Sequence, residues 1–142
     1  MAKSKVLFVC VHNSARSQMA EAYLRQLAGE RLEVESAGLE PGPLNPLVVE
    51  VMKEDGLDLS DKQARSVFEL FRQGRIFKYV ITVCESSREE HCPIFPGVTN
   101  RLHLPFPDPS ELGGTNQERL AGTRKIRDQI RRAVTELAGQ LS

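Results

Sequence analysis

The apolar run Val6-Leu7-Phe8-Val9 ends on Cys10, and after five intervening residues Arg16-Ser17 open an amphipathic stretch. Four consecutive apolar residues read as a strand buried on both faces, the habit of parallel sheets. A strand that leads to a helix through Val11, His12, Asn13, Ser14 and Ala15 is laid out as an anion site with a built-in nucleophile. Such a loop curls its backbone N–H groups around one tetrahedral oxyanion, and the helix start adds further donors and its positive dipole end. Arg16 supplies a planar fork for two oxyanion oxygens. The same donors favour a thiolate at Cys10, the attacking form of cysteine. A strand-end cysteine can equally be a small buried hydrophobe. The strand before it, the helix after it and Asn13, a residue type that tolerates left-handed backbone, favour the anion site.

A length of 142 residues suits one domain over 1–142 with a core that needs no disulfide staples. Lys and Arg balance Asp and Glu at 19 each, which argues against nucleic acid or an anionic membrane as partner. The apolar stretch ending at Cys10 is too short for a signal-peptide core or a membrane span, so a cytoplasmic monomer is expected. Three cysteines in a reducing compartment point to thiol chemistry or metal binding rather than a static disulfide framework.

Along the chain, Met19, Ala20, Tyr23, Leu24 and Leu27 recur at helical intervals, and Gly29 stands at the helix end. Residues 31–36 alternate Leu32 and Val34 with charge, a short half-exposed strand. After Pro41-Gly42-Pro43, Asn45 caps a helix begun by Pro46 and carrying Leu47, Val48, Val51 and Met52, with Gly56 as its stop. A short helix is expected over 66–73, with Val67, Leu70 and Phe71 on one face. Tyr79-Val80-Ile81-Thr82-Val83 is the clearest strand and ends at Cys84; 102–104 is a weaker one, broken by Pro105, Pro107 and Pro109. A long helix from about residue 116 carries a stripe of Ile126, Ile130, Ala133, Leu137 and Leu141. Its arginines, interleaved with Glu118, Asp128 and Glu136, read as a solvated face rather than a docking patch. The alternation predicts a single α/β domain with a parallel sheet of about four strands.

Cys10-Val11-His12-Asn13-Ser14-Ala15-Arg16-Ser17 resembles the phosphate loop (P-loop) of the low-molecular-weight protein tyrosine phosphatase fold, and its continuation Gln18-Met19-Ala20-Glu21-Ala22 resembles the arsenate reductases built on it. Ser36-Ala37-Gly38, Asn45-Pro46 and Gly56-Leu57-Asp58-Leu59-Ser60 extend the similarity. The resemblance implies strand order 2-1-3-4 with helices on both faces. It also implies oxyanion binding by residues 11–17, with Cys10 as nucleophile and Asp108, in the matching Asp108-Pro109 pair, as general acid. An aspartate among prolines is otherwise a turn former. Phosphatases usually follow that pair with tyrosines, whereas Ser110-Glu111-Leu112-Gly113-Gly114 stands here. Cys84 and Cys92-Pro93-Ile94 resemble the cysteine pair of thioredoxin-coupled arsenate reductases. A helical segment between them would hold their Cα atoms about 12 Å apart, against roughly 4.4 to 6.8 Å for a disulfide, so closing the bond must remodel the segment.

The expected function is therefore reduction of arsenate to arsenite by a thiol relay. A Cys10–Cys84 disulfide forms first and passes to Cys84–Cys92, and thioredoxin, or glutaredoxin with glutathione, restores the thiols; no bound cofactor is expected. Two rival classes stand beside it: a tyrosine or arginine phosphatase using Cys10, Arg16 and Asp108 alone, and an oxyanion-binding or redox-sensing module without turnover. Two buried inert cysteines at 84 and 92 are a further alternative. Zinc held by Cys84, His91, Cys92 and His103 would lack any Cys-x2-Cys pair. Asn13, Glu21 and Ser36 match positions where some arsenate reductases hold potassium, but Arg65 lies in the region where those members supply a carboxylate.

Overall fold

The computed structural model describes residues 3–84 and 100–141. Its frame is a four-stranded parallel sheet in the order β2-β1-β3-β4, with β1 Ser4–Cys10, β2 Leu32–Gly38, β3 Tyr79–Thr82 and β4 Asn100–His103. Residues Val6 to Val9 are fully buried because β1 is an inner strand with layers above and below. Val6 and Phe8 point to the face covered by α1 (Arg16–Ala28), α2 (Pro46–Glu54) and α4 (Asn116–Ala138). Leu7 and Val9 point to the other face, against Val67 and Leu70 of α3 (Val67–Arg72) and Phe77. The period-two alternation of a strand thus feeds two cores from one run. Among the described residues no helix is long and apolar enough to cross a membrane.

Helix boundaries follow local chemistry. Asn45 Oδ1 accepts the Leu47 N–H and Pro46 takes the first turn, where a missing N–H costs nothing. Thr115 and Glu118 form a reciprocal capping box at the start of α4. Ser66 caps α3.

Four expectations need correction. The strand over 31–36 runs from Leu32 to Gly38 and is buried at every position except Glu33, because its Glu35 side chain is paired with Arg65 and Arg75 instead of facing water. The strand over 102–104 is shifted to Asn100–His103. Leu27 and Phe71 lie 47% and 40% exposed, each past the edge of its helix's buried face. In α4 the buried stripe is Ile126, Ile130, Val134 and Leu137, followed by Leu141; Ala133 sits on its flank.

The arginines of α4 are also not a simple solvated face. Arg127 is 6% exposed and donates to the Val51 carbonyl and to Glu54 at 2.8 and 2.7 Å. Arg124 forks onto both Glu54 oxygens at 2.9 and 2.8 Å. Arg131 meets Asp55, which also accepts the Tyr23 hydroxyl, and burial followed by this bond raises the Tyr23 pKa. Apolar burial holds the helix, at about 1.5–3 kcal/mol per large aliphatic side chain, against about 0–1 for an exposed ion pair. The ion pairs decide which turn of α4 faces α2.

Hydrogen bonds from Arg124, then Arg127, draw the Glu54 pKa down to about 2. A depressed carboxyl stabilises the fold above its unfolded value near 4.5 and loses that contribution as pH falls toward 2. The side chain is 37% exposed, which screens the pairs, so Glu54→Gln should cost about 1 kcal/mol at neutral pH. Thermal melts of the two proteins should differ at pH 7 and converge as pH drops below 4; a constant gap would place the stabilisation elsewhere.

Candidate active site

At the C-terminal edge of the sheet, the carbonyls of residues 10–15 are all drawn away from the loop they form. The N–H groups of Leu39, Glu40, Gly42, Asn45 and Met19 bond the carbonyls of Cys10, Val11, His12, Ser14 and Ala15 at 2.7–3.0 Å. Gln18 Nε2 takes that of Asn13 at 3.1 Å. In a trans peptide the C=O and the next N–H point in opposite directions, so anchoring these carbonyls outward turns the N–H groups of residues 11–16 inward. The chain thereby makes a ring of donors without any lysine in the loop. Helix α1 then starts at Arg16 with no side-chain cap, leaving its first donors for a ligand.

Asn13 carries the conformation this curl requires. Its φ of 53° is the only left-handed non-glycine backbone among the described residues, and its side chain is fully buried. Asn13 Nδ2 donates to Ser17 Oγ at 2.7 Å and to Ser36 Oγ at 2.9 Å, and Ser36 donates to Glu21 Oε1 at 2.6 Å. Lys62 occupies the other Glu21 oxygen, with Arg25 at 3.5 Å. A carboxylate only accepts, so Glu21 sets the direction of every bond in this chain. Ser17, having accepted from Asn13, has its hydrogen free for Cys10 Sγ, 2.8 Å away. The Asn13 backbone N–H reaches the same sulfur at 3.1 Å. Two hydrogen-bonding groups are thus aimed at one sulfur.

The other named residues fall around this centre. Arg16 is 4% exposed and is held by the Phe106 carbonyl at 3.2 Å and Asp108 Oδ2 at 3.5 Å. Asp108 arrives on the proline-rich stretch after β4, tied to the end of β3 through Leu104 N on Thr82 O and Phe106 N on Val83 O. His12 is exposed and its Nδ1–H donates to the Glu40 carbonyl at 2.8 Å. Cys84 is fully buried in the same core cluster as Cys10. Because Val9 pairs with Thr82, Cys10 and Cys84 leave adjacent strands at one edge; such strands are about 4.8 Å apart. Cys92 and His91 lie outside the described residues. His103 Nδ1 is 2.8 Å from Thr82 Oγ1, within the sheet.

Asn13, Glu21 and Ser36 do come together, but not as a cation shell. Both Glu21 oxygens already have donors, Asn13 Oδ1 accepts the Arg65 N–H at 2.9 Å, and the Arg65 guanidinium turns to Glu35. Potassium does not fit this donor set.

Residues that no motif signalled also build the site. Gln18 braces Asn13, Lys62 neutralises Glu21, and Gly38 lets the loop lie against β2: a Cβ there would sit 2.8 Å from Asn13 N and His12 C. Of these, Gln18 and Gly38 stood within recognisable runs, Gln18-Met19-Ala20-Glu21-Ala22 and Ser36-Ala37-Gly38, but neither was singled out, and Lys62 stood in none.

A profile of the low molecular weight phosphotyrosine protein phosphatase family matches residues 5–142. An arsenate reductase of Halalkalibacterium halodurans is 35% identical over 139 residues, covering 97% of each chain. This chain belongs to that family, in its arsenate reductase branch. Among solved structures, an arsenate reductase of Archaeoglobus fulgidus superposes with a TM-score of 0.75 at 30% identity, covering 94% of this chain and 98% of that one. A thioredoxin-dependent arsenate reductase of Corynebacterium glutamicum gives 0.72 at 30%, covering 99% of this chain and 62% of that one. The family fold carries the expected strand order and P-loop position.

Gly38→Ala should push the loop off β2 and weaken oxyanion binding by tenfold or more. Protection of Cys10 from iodoacetamide by phosphate measures this; unchanged protection would show that the loop tolerates the contact.

Proposed function

We propose that this chain reduces arsenate to arsenite through Cys10, Cys84 and Cys92, with thioredoxin as the electron source. The observation that carries this reading is the burial of two thiols leaving adjacent strands, one at the base of a ring of inward N–H donors. Arsenate sits in the loop of residues 10–17, bound by backbone N–H groups, Arg16 and Ser17. Cys10 Sγ attacks arsenic as Asp108 gives its proton to the departing oxygen, which leaves as water. Cys84 Sγ then attacks Cys10 Sγ. The electron pair of the sulfur–arsenic bond stays on arsenic, arsenic(V) becomes arsenic(III), arsenite leaves, and the two thiols are oxidised to a Cys10–Cys84 disulfide. Cys92 Sγ attacks Cys84 Sγ, freeing Cys10 as thiolate and moving the disulfide to Cys84–Cys92.

Burial explains why a third cysteine is required. Cys10 and Cys84 are 2% and 0% exposed, so no protein reductant reaches a bond between them. Passing the disulfide to Cys92 hands it to a partner. Glutaredoxin with glutathione would suit the same bond, and either reductant belongs to the cytoplasm. Phosphatase chemistry needs only Cys10, Arg16, Asp108 and water, and is expected as a side activity; the stretch after Asp108-Pro109 lacks the tyrosines that grip phosphotyrosine.

Two predictions test this proposal. Cys92→Ser should reduce one arsenate per protein and then stop with Cys10 bonded to Cys84, whereas Cys84→Ser should release no arsenite; both should keep phosphatase-type hydrolysis. Arsenite release and non-reducing peptide maps check this, and repeated turnover by Cys92→Ser with thioredoxin would end the relay account. Because Lys62 already neutralises Glu21, exchanging potassium for sodium should leave the arsenate-reducing rate unchanged within twofold. A steep potassium dependence would mean that an ion displaces Lys62.

A further inference from the structure

Among the described residues, the loop carrying Asp108 has few ties to the body of the protein. Pro105, Pro107 and Pro109 offer no N–H, and the bonds of Glu111 N and Leu112 N return to Asp108 and Pro109 within the same turn. Its near end is anchored by Phe106 on Val83, and its far end by Leu112, whose Cδ1 leaves no room for a Cβ on Gly122 of α4. Between these anchors, Asp108 itself is held by Arg16. Arg16, however, is also a ligand for the oxyanion in the reading above. When an anion takes its fork, the restraint on Asp108 is shared or lost at the moment the acid is needed.

One residue supplies a tie that does not involve the substrate. Asn45 donates its backbone N–H to the Ser14 carbonyl of the anion loop at 3.0 Å and accepts the Leu47 N–H on Oδ1 at 2.9 Å. Its side-chain Nδ2 donates to Ser110 Oγ at 3.0 Å. The Ser110 N–H in turn donates to Asp108 Oδ1 at 2.9 Å. With Oδ1 engaged by Ser110, Oδ2 is the oxygen that stands beside Arg16. Pro46 and Pro109 stiffen the backbone directly after Asn45 and Asp108, so the clasp joins two rigid segments.

We propose that Asn45 is a positioning residue which, through Ser110, keeps Asp108 in register with the anion loop while Arg16 is engaged by substrate. This rests on Asp108 being the general acid. A 1 Å misplacement of an acid slows proton transfer without changing anion binding, because the donors that hold the anion lie on the other loop. One neutral hydrogen bond is worth a rate effect of roughly three- to tenfold.

The test uses Ser110→Ala, which leaves the Asn45 helix cap and the Ser110 backbone N–H in place. With protein in excess over arsenate and no external reductant, Ser110→Ala should slow single-turnover arsenite release by three- to tenfold. Protection of Cys10 by phosphate should stay within twofold, and Ser110→Thr should restore the rate. Asn45→Ser, which keeps a capping hydroxyl but cannot reach Ser110, should slow the step equally, and the double variant should be no slower than either single one. Placed on Asp108→Asn, Ser110→Ala should have no further effect. The clasp is overturned if Ser110→Ala leaves the rate unchanged, or slows it equally with and without Asp108. The Asp108→Asn arm reports separately on the acid: a drop of about a hundredfold there with an unaffected Ser110→Ala rejects the clasp alone, and an unaffected Asp108→Asn rejects both.

Discussion

The site depends on six carbonyls being held outward. A peptide loop in water has no reason to direct its N–H groups to a common centre, since each would rather bond solvent. Here the segment after β2 and the start of α1 occupy the carbonyls of residues 10–15 one by one, and the planarity of the peptide does the rest. This requires the loops after β1 and β2 to lie side by side, which the strand order β2-β1-β3-β4 supplies through the pairing of Cys10 with Gly38. It also requires Asn13 to remain left-handed, a conformation secured by burying its amide among fixed partners.

Joined to this loop through Ser36 and Asn13 is a buried carboxylate, Glu21, whose charge alone would oppose the anionic ligand proposed for it. Lys62 and Arg25 offset that charge from the outer side, while Ser36 and Asn13 separate it from the loop. What reaches the centre is therefore the orientation of hydrogen bonds rather than negative charge. Two ionic features elsewhere follow the same economy: Glu35 is buried between Arg65 and Arg75, and the more exposed Glu54 is held between Arg124 and Arg127. Each lies where an edge strand or a docking helix must be held in one register.

Burial shapes the redox chemistry as much as the donors do. A thiol sealed from solvent is protected from adventitious oxidation, and it is equally sealed from a protein reductant. In the proposed relay a nucleophile this deep calls for an internal route for electrons, and Cys92 stands in a polar stretch of the sequence that suits presentation to a partner.

Much of this was legible in the chain. The apolar run before Cys10, the spacing to Arg16-Ser17, the caps at Asn45 and the alternation of strands with helices determine an α/β fold with an anion loop at a sheet edge, because these signals are local: backbone preference, periodicity and turn chemistry act over a few residues. The sequence also marked Cys84 as the end of a strand and, through the family resemblance, Asp108 in the proline-rich loop. Only the tertiary structure decided that Lys62 and not a free cation meets Glu21, that Gln18 and Arg65 brace Asn13, that Arg127 is buried against α2, and that Asn45 bridges the two loops. Those partners stand up to 76 residues apart, as Arg127 and Val51 do, so no short-range pattern records them. They follow from how the sheet and its helices bring distant polar groups together, where each buried donor must find an acceptor.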